Sequence, residues 1–153
     1  MKEINLSNSD KVVLIDDEDY DLVSKYKWYA HKERNTWYAC CDISWKPKRC
    51  LRMHRLILGL DFGDKRQGDH RNHNGLDNMR DNIRMCTHRQ NLCNREKVKG
   101  IYWWKNAWMA MIGYKGKSIY LGRFKTKRAA TLIRKIAEQI YFGEFAYESK
   151  VIA

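Results

Sequence analysis

The stretch from Asp61 to Lys97 constrains the fold more than any other part of this chain. Its 37 residues hold six Asn and six Arg but only six large apolar side chains, Phe62, Leu76, Met79, Ile83, Met85 and Leu92. Little core can form there. Such a segment keeps a fixed shape through side-chain hydrogen bonds to backbone, through a bound metal, or not at all.

The rest of the chain has the apolar content to fold. A hydrophobic fraction of 44% with 12% aromatics excludes a disordered basic tail, and 153 residues make one domain or two very small ones. Thirty Lys and Arg stand against eighteen Asp and Glu, a net charge of +12. Residues 1–24 hold two basic and seven acidic groups, so the remainder carries twenty-eight against eleven, or +17. That field attracts polyanions: nucleic acid is the first partner to consider and an anionic membrane surface the second. No run of eighteen apolar residues and no secretory signal pattern occurs, so the expectation is a cytoplasmic protein without a membrane partner. Five cysteines, without a Cys-x-x-Cys pair, argue against a disulfide framework. Cys86, His88 and Cys93 form a loose cluster that keeps a structural zinc protein among the alternatives.

Val12–Ile15 predicts a strand, and the acids Asp16–Asp19 predict a helix start whose dipole they complement. Tyr26–His31 and Thr36–Ser44, rich in Trp and Tyr, predict a hairpin around Glu33-Arg34-Asn35, and Pro47 falls in the next loop. Arg49–Leu60 fits a short helix ending near Gly59, and the five basic residues from Lys46 to Arg55 give that region a positive face.

Gln67–His70 reads as a strand running into the turn dipeptide Asn74-Gly75, which tolerates positive φ. Asn82–Cys86 is a candidate second strand, and Thr87 with Gln90 fits a capping box, so a helix starts at His88 with Asn91 one turn inside it. Asp69 and His70 then end one strand, and an amide sits on the helix. A carboxylate and an amide oxygen suit a hard cation such as Mg²⁺ or Mn²⁺, which takes further oxygens from water and phosphate. His70, beside the ligand, is suited to deprotonating a water near neutral pH. The chemistry implied is hydrolysis of a phosphodiester.

Asp69 to Asn78, then Asn82-Ile83-Arg84, then Gln90 to Asn94 resemble the HNH nucleases, and more specifically the phage homing endonucleases of the ββα-metal fold. The resemblance covers roughly residues 1–96. It implies Asp69 and Asn91 as metal ligands, His70 as general base and Asn82 as a brace of the loop. His54-Arg55-Leu56-Ile57 resembles an element that precedes the motif in that subfamily. Arg52, His54, Arg55, Arg71 and Arg95 are candidate DNA contacts, although His54 fits a packed position below the site equally well. His73 and His88 read as solvated or hydrogen-bonding, and His31 as an ordinary strand residue.

From Lys97 to Ala137 there are eleven Lys and Arg and no acid, interleaved with Trp and Tyr. Ile101–Trp104, Trp108–Ile112 and Ser118–Arg123 predict three strands. Thr126 caps a helix, ending before Gly143, whose Ala129, Leu132, Ile133, Ile136, Ala137 and Ile140 cover one sheet face. Trp103, Trp108 and Phe124 are expected in that core. The uncovered face suits the major groove of duplex DNA, with Lys99, Lys105, Lys115, Lys117 and Arg123 as phosphate contacts. Gly100–Trp103, Trp108–Ile112, Tyr120–Phe124 and Gly143–Ala146 resemble the plant ethylene-response-factor type of DNA-binding domain, although the strand arginines of that pattern are sparse here.

The expectation is an α+β protein with an HNH module over 1–96, including a small N-terminal sheet, and a three-stranded sheet packed on one helix over 97–153. Its expected role is a metal-dependent endonuclease acting on double-stranded DNA, with no protein partner inferred. The alternative is a non-catalytic DNA-binding protein that keeps the module's shape only.

Overall fold

A computed structural model describes residues 1–33, 35–45, 48–94 and 99–147. Arg34, Pro47, Arg95 and the boundary expected between 96 and 97 lie outside the described residues. The protein is a mixed α/β fold of small antiparallel sheets with few helices. It divides into two compact units, Met1–His88 and Arg89–Ala153, so the division falls eight residues before the one expected.

In the first unit, β1 (Lys2–Leu6) and β2 (Ser9–Ile15) form one hairpin. The acids that follow make a 3-10 turn over Asp17–Asp19, and a one-turn helix α1 (Tyr20–Val23) comes next. β3 (Tyr29–Glu33), β4 (Thr36–Trp45) and β5 (Lys48–Arg52) form a meander. The helix expected over Arg49–Leu60 is therefore confined to α2 (Met53–Ile57). Leu51 is buried opposite Cys41 in the ladder, and Arg52 is extended at φ −102°, ψ 134°, so sheet pairing overrides helical spacing up to that point. Val13, Ile15, Val23, Trp28, Met53 and Ile57 form the centre of the core. The indole of Trp28 is satisfied there by the Val23 carbonyl at 2.8 Å.

β6 (Gln67–His70) and β7 (Ile83–Cys86) form the third small sheet, with Asp69 opposite Arg84. Only Leu76 and Ile83 of this region join the core cluster. The connecting loop is held instead by hydrogen bonds to β2. Leu14 donates to the Leu76 carbonyl at 2.9 Å, and Asn78 donates its amide back to Leu14 at 2.8 Å. Arg80 donates to both carboxylate oxygens of the buried Asp19, at 2.9 and 2.7 Å, and pairs with Glu18. Its backbone amide also reaches Asp16 at 2.7 Å. The acidic N-terminal segment thus grips the loop rather than serving a helix dipole alone.

The second unit begins in α3 (His88–Cys93). Arg89, Gln90, Leu92 and Cys93 line a cavity of about 400 Å³ walled also by Tyr114, Tyr141 and Phe142, which accounts for the early division. β8 (Ile101–Trp104), β9 (Ala107–Tyr114) and β10 (Lys117–Phe124) form an antiparallel sheet with β9 central. Both turns are left-handed: Lys105 and Asn106 have φ of 43° and 61°, Lys115 and Gly116 of 48° and 79°. Positive φ at both central positions matches the twist of paired strands.

α4 (Lys127–Phe142) is capped by Thr126, whose hydroxyl accepts from the Ala129 amide at 3.2 Å, and it ends at Gly143 with φ 53°. Ala130 and Ala137 are buried on the sheet side with Ala110 and Ile112. Arg134 donates to the Met111 carbonyl at 2.7 Å and pairs with Glu138. The expected covering face was too wide. Leu132, Ile136 and Ile140 are exposed, because they recur at four-residue steps on a stripe turned away from Ala130 and Ala137. Trp103, expected in the core, is 54% exposed on the edge strand and packs edge-on against Trp108. Trp108 and Phe124 are half-buried.

Candidate active site

β6 ends with Asp69 and His70, 7% and 5% exposed. Arg84, opposite on β7, donates to Asp69 Oδ2 from Nε at 3.0 Å and from Nη2 at 2.8 Å, so the guanidinium aims the carboxylate. His70 Nε2 lies 3.2 Å from the Oδ1 of Asn78, which is fully buried. That contact holds the ring in one orientation. Burial lowers the His70 pKa from its ordinary 6.5, against the raising effect of the Asn78 hydrogen bond and the Asp69 charge. The ring is thereby held neutral, as a proton acceptor requires.

Below His70 lies His54, on α2. The two rings meet edge to face with centroids 4.8 Å apart, and Tyr38 of β4 packs on both, at 5.6 Å from His54 and 5.8 Å from His70. His54 is buried, so of its two expected positions it takes the packed one and is not placed to touch phosphate. Its pKa falls well below 6.5, first through burial and then through His70. Gly68 makes room for it, since a Cβ there would lie 2.4 Å from His54 Cδ2.

The loop between β6 and β7 is built from side-chain amides. Asn82 accepts from the Asn72 amide at 3.0 Å and donates to the Asp77 carbonyl at 2.7 Å, while its own carbonyl accepts from Arg71 at 2.9 Å. Asn72 and Asn74 each accept from a backbone amide two residues on. The left-handed residue is His73, φ 62°, not Gly75. Gly75 is needed for a different reason: a Cβ would lie 2.4 Å from the Trp37 carbonyl and 2.7 Å from the Tyr38 ring. The loop is pressed onto β4 there, and Gly75 donates to the Thr36 hydroxyl at 3.0 Å.

The remaining candidates divide. Asn91 is half-buried on α3, in the second unit. Arg55 donates to the carbonyls of Arg66 and Asp61, closing the 61–66 loop. Arg52 pairs with Glu33 and lies over the Tyr38 ring. Arg71 is half-buried, and Lys99, Lys105, Lys115, Lys117 and Arg123 are exposed. The lysines at 105 and 115 sit in the turns of the second sheet, at its two ends, rather than on its face.

Among the described residues, no three or more His, Cys, Asp or Glu side chains are grouped to hold a metal ion. All five cysteines are thiols outside any disulfide. Cys86 donates to the Gln67 carbonyl at 3.5 Å and Cys93 to that of Arg89 at 3.3 Å, while His88 Nδ1 lies 3.3 Å from Gln67 Nε2. Asn78 is the residue of this candidate site that sequence reasoning missed. It lies inside the quoted motif, but its role shows only when the loop folds back over the strand.

Comparison with known proteins points to a class. The chain is 28% identical over 144 residues to an uncharacterized HNH endonuclease of Acanthamoeba polyphaga mimivirus, covering 88% of this chain and 72% of that protein. That similarity supports an HNH nuclease family for this chain. No family model matches it, and no solved structure does. No described helix is long and apolar enough to cross a membrane.

Proposed function

We propose that this chain is a metal-dependent HNH endonuclease of the homing type that hydrolyses a phosphodiester in double-stranded DNA. The carrying observation is the end of β6, where an aimed carboxylate and a neutral imidazole held by Asn78 stand side by side. The resemblance implies Asp69 and Asn91 as the ligands, and a carboxylate and an amide oxygen are donors that a hard cation takes. Mg²⁺ or Mn²⁺ bound there supplies charge neutralisation at the scissile phosphate and the leaving oxygen.

His70 takes the proton of the attacking water, and Asn78 holds the ring in place. Tyr38 and His54 form the floor under the ring. Asn82 keeps the loop shaped so that Asn78 stays in place. Arg71 and Arg95 are the phosphate contacts nearest the motif in sequence, and Arg52 and Arg55 contribute positive charge while holding their own loops. The second unit, read as ethylene-response-factor-like, would grip the duplex through Lys99, Lys105, Lys115, Lys117 and Arg123.

Relaxation of supercoiled plasmid tests this reading. Cleavage that requires Mg²⁺ or Mn²⁺ and disappears in His70→Ala is expected. Folded protein that binds duplex DNA but leaves plasmid and its own locus intact in both metals overturns it. The second reading, a DNA-binding protein with a degenerate module, is favoured by one observation: Arg84 already occupies Oδ2 of the carboxylate that a metal would use.

A further inference from the structure

We propose that the outer face of the β8–β9–β10 sheet reads the methyl groups of thymine, through Met109 and Met111 of the central strand. The inference rests on the reading of the second unit as a duplex-binding module and gives that module its sequence preference.

Along β9 the side chains alternate. Ala110 and Ile112 are buried on the α4 side, as is usual for alternating strand positions, and this leaves Met109 and Met111 on the opposite face, half-buried. The register puts Tyr102 and Arg123 on either side of Met109, and Tyr120 beside Met111. Two polar groups of that face are held within the sheet. The Tyr102 hydroxyl donates to Met111 Sδ at 2.8 Å, and Arg123 Nη2 donates to the Lys105 carbonyl at 2.6 Å. The centre of the face carries no amide and no carboxylate, so the groups that pair with adenine and cytosine edges are missing there.

Charge says what this face meets. Lys105 stands at one end of the sheet and Lys115 and Lys117 at the other, and no acid occurs between Lys97 and Ala137. Two basic ends flanking an apolar centre complement two phosphate backbones flanking a groove. The apolar feature that a major groove offers is the C5 methyl of thymine. Thioethers are unbranched and polarizable, and they adapt to such a group. Met109 and Met111 lie two residues apart, about 6.8 Å along an antiparallel strand, so the two thioethers reach different base pairs.

The experiment selects bound duplexes from a random-sequence pool with the full chain, then remakes the enriched duplex with deoxyuridine, which lacks the methyl, in place of thymidine. Enriched sites containing thymine are expected. Each contacted thymine replaced should weaken binding about fourfold, the worth of one buried methyl group. Met109→Ala with Met111→Ala should bind the thymidine and deoxyuridine duplexes alike. Equal binding of thymidine and deoxyuridine duplexes by the unmodified chain overturns the proposal, and that result needs no variant to fold. If no duplex is retained from the pool at all, the module reading falls and this inference falls with it.

Discussion

Removing Arg84 tests how the end of β6 is built. Arg84→Met keeps most of the side-chain volume and leaves the Asp69 carboxylate buried without the two hydrogen bonds that Nε and Nη2 now supply. Both residues are 7% exposed, so solvent screens this pair little. Breaking a buried pair by deleting one partner costs about 3–5 kcal/mol, a large share of the ~5–15 kcal/mol that holds a domain together. Asp69→Asn strands the guanidinium instead and should cost a similar amount. The double variant Asp69→Asn with Arg84→Met has no charge left to bury, and should recover about 2 kcal/mol or more relative to the sum of the single losses. Urea unfolding of the metal-free protein measures all four forms of the cycle. If Arg84→Met unfolds within about 1 kcal/mol of the parent, or if the single losses simply add, the pair does not organise this end of the sheet.

Gly75→Ala should lower stability by about 1–3 kcal/mol, because its Cβ would meet a backbone carbonyl that cannot give way; an unchanged melting temperature counts against that close approach. Lowering the pH from 7.5 to 5.5 should destabilise the metal-free protein. Above about 6.5 both His54 and His70 are neutral folded or unfolded; below it the unfolded chain takes up protons that the buried rings refuse, and stability falls by up to about 1.4 kcal/mol per pH unit for each ring. Stability that is flat across that interval contradicts the burial of these rings as neutral groups. Asp19→Asn should loosen the loop over His70, because it weakens the grip on Arg80; faster hydrogen exchange at Leu76 and Asn78 is expected, and unchanged exchange there refutes the anchoring role. Thr126→Ala should cost about 1 kcal/mol through loss of the α4 cap, read from the unfolding midpoint.

Local chemistry made part of this legible from the sequence. The β6 and β7 strands, the α3 start at His88, and the Thr126 and Gly143 limits of α4 all follow from signals within a few residues of the feature they set. What the sequence hides is set by partners far away in the chain. Arg49–Arg52 has helical spacing but pairs with a strand, and the acids at 16–19 look like a helix start but close on Arg80, more than sixty residues later. Gly75 reads as a turn glycine, yet its small size serves an approach to Trp37. Asn78 escapes for the same reason, and His54 is left between two positions. Each acquires its role by touching His70, and no local pattern encodes that contact.

The same distribution of contacts decides how catalytic roles in such a unit can be assigned. A site inside a packed core tolerates the loss of one polar group, because apolar neighbours still hold its shape. Between residues 61 and 88 only Leu76 and Ile83 join the core, so the shape here is carried by the amides, carboxylates and guanidinium that also form the site. Asn82 touches three backbone segments at once, and its alanine variant would lose the loop together with any chemistry. Inactivity after truncation at Asp69, Asn82 or Asn78 therefore does not separate a chemical role from a structural one. His70 separates them better, since its loss removes one hydrogen bond to Asn78 and one ring from the Tyr38–His54 stack, and leaves the Asn72, Asn74 and Asn82 bonds intact. A His70→Ala protein that keeps its fold and its DNA affinity while losing cleavage is thus the variant that bears on the reaction itself.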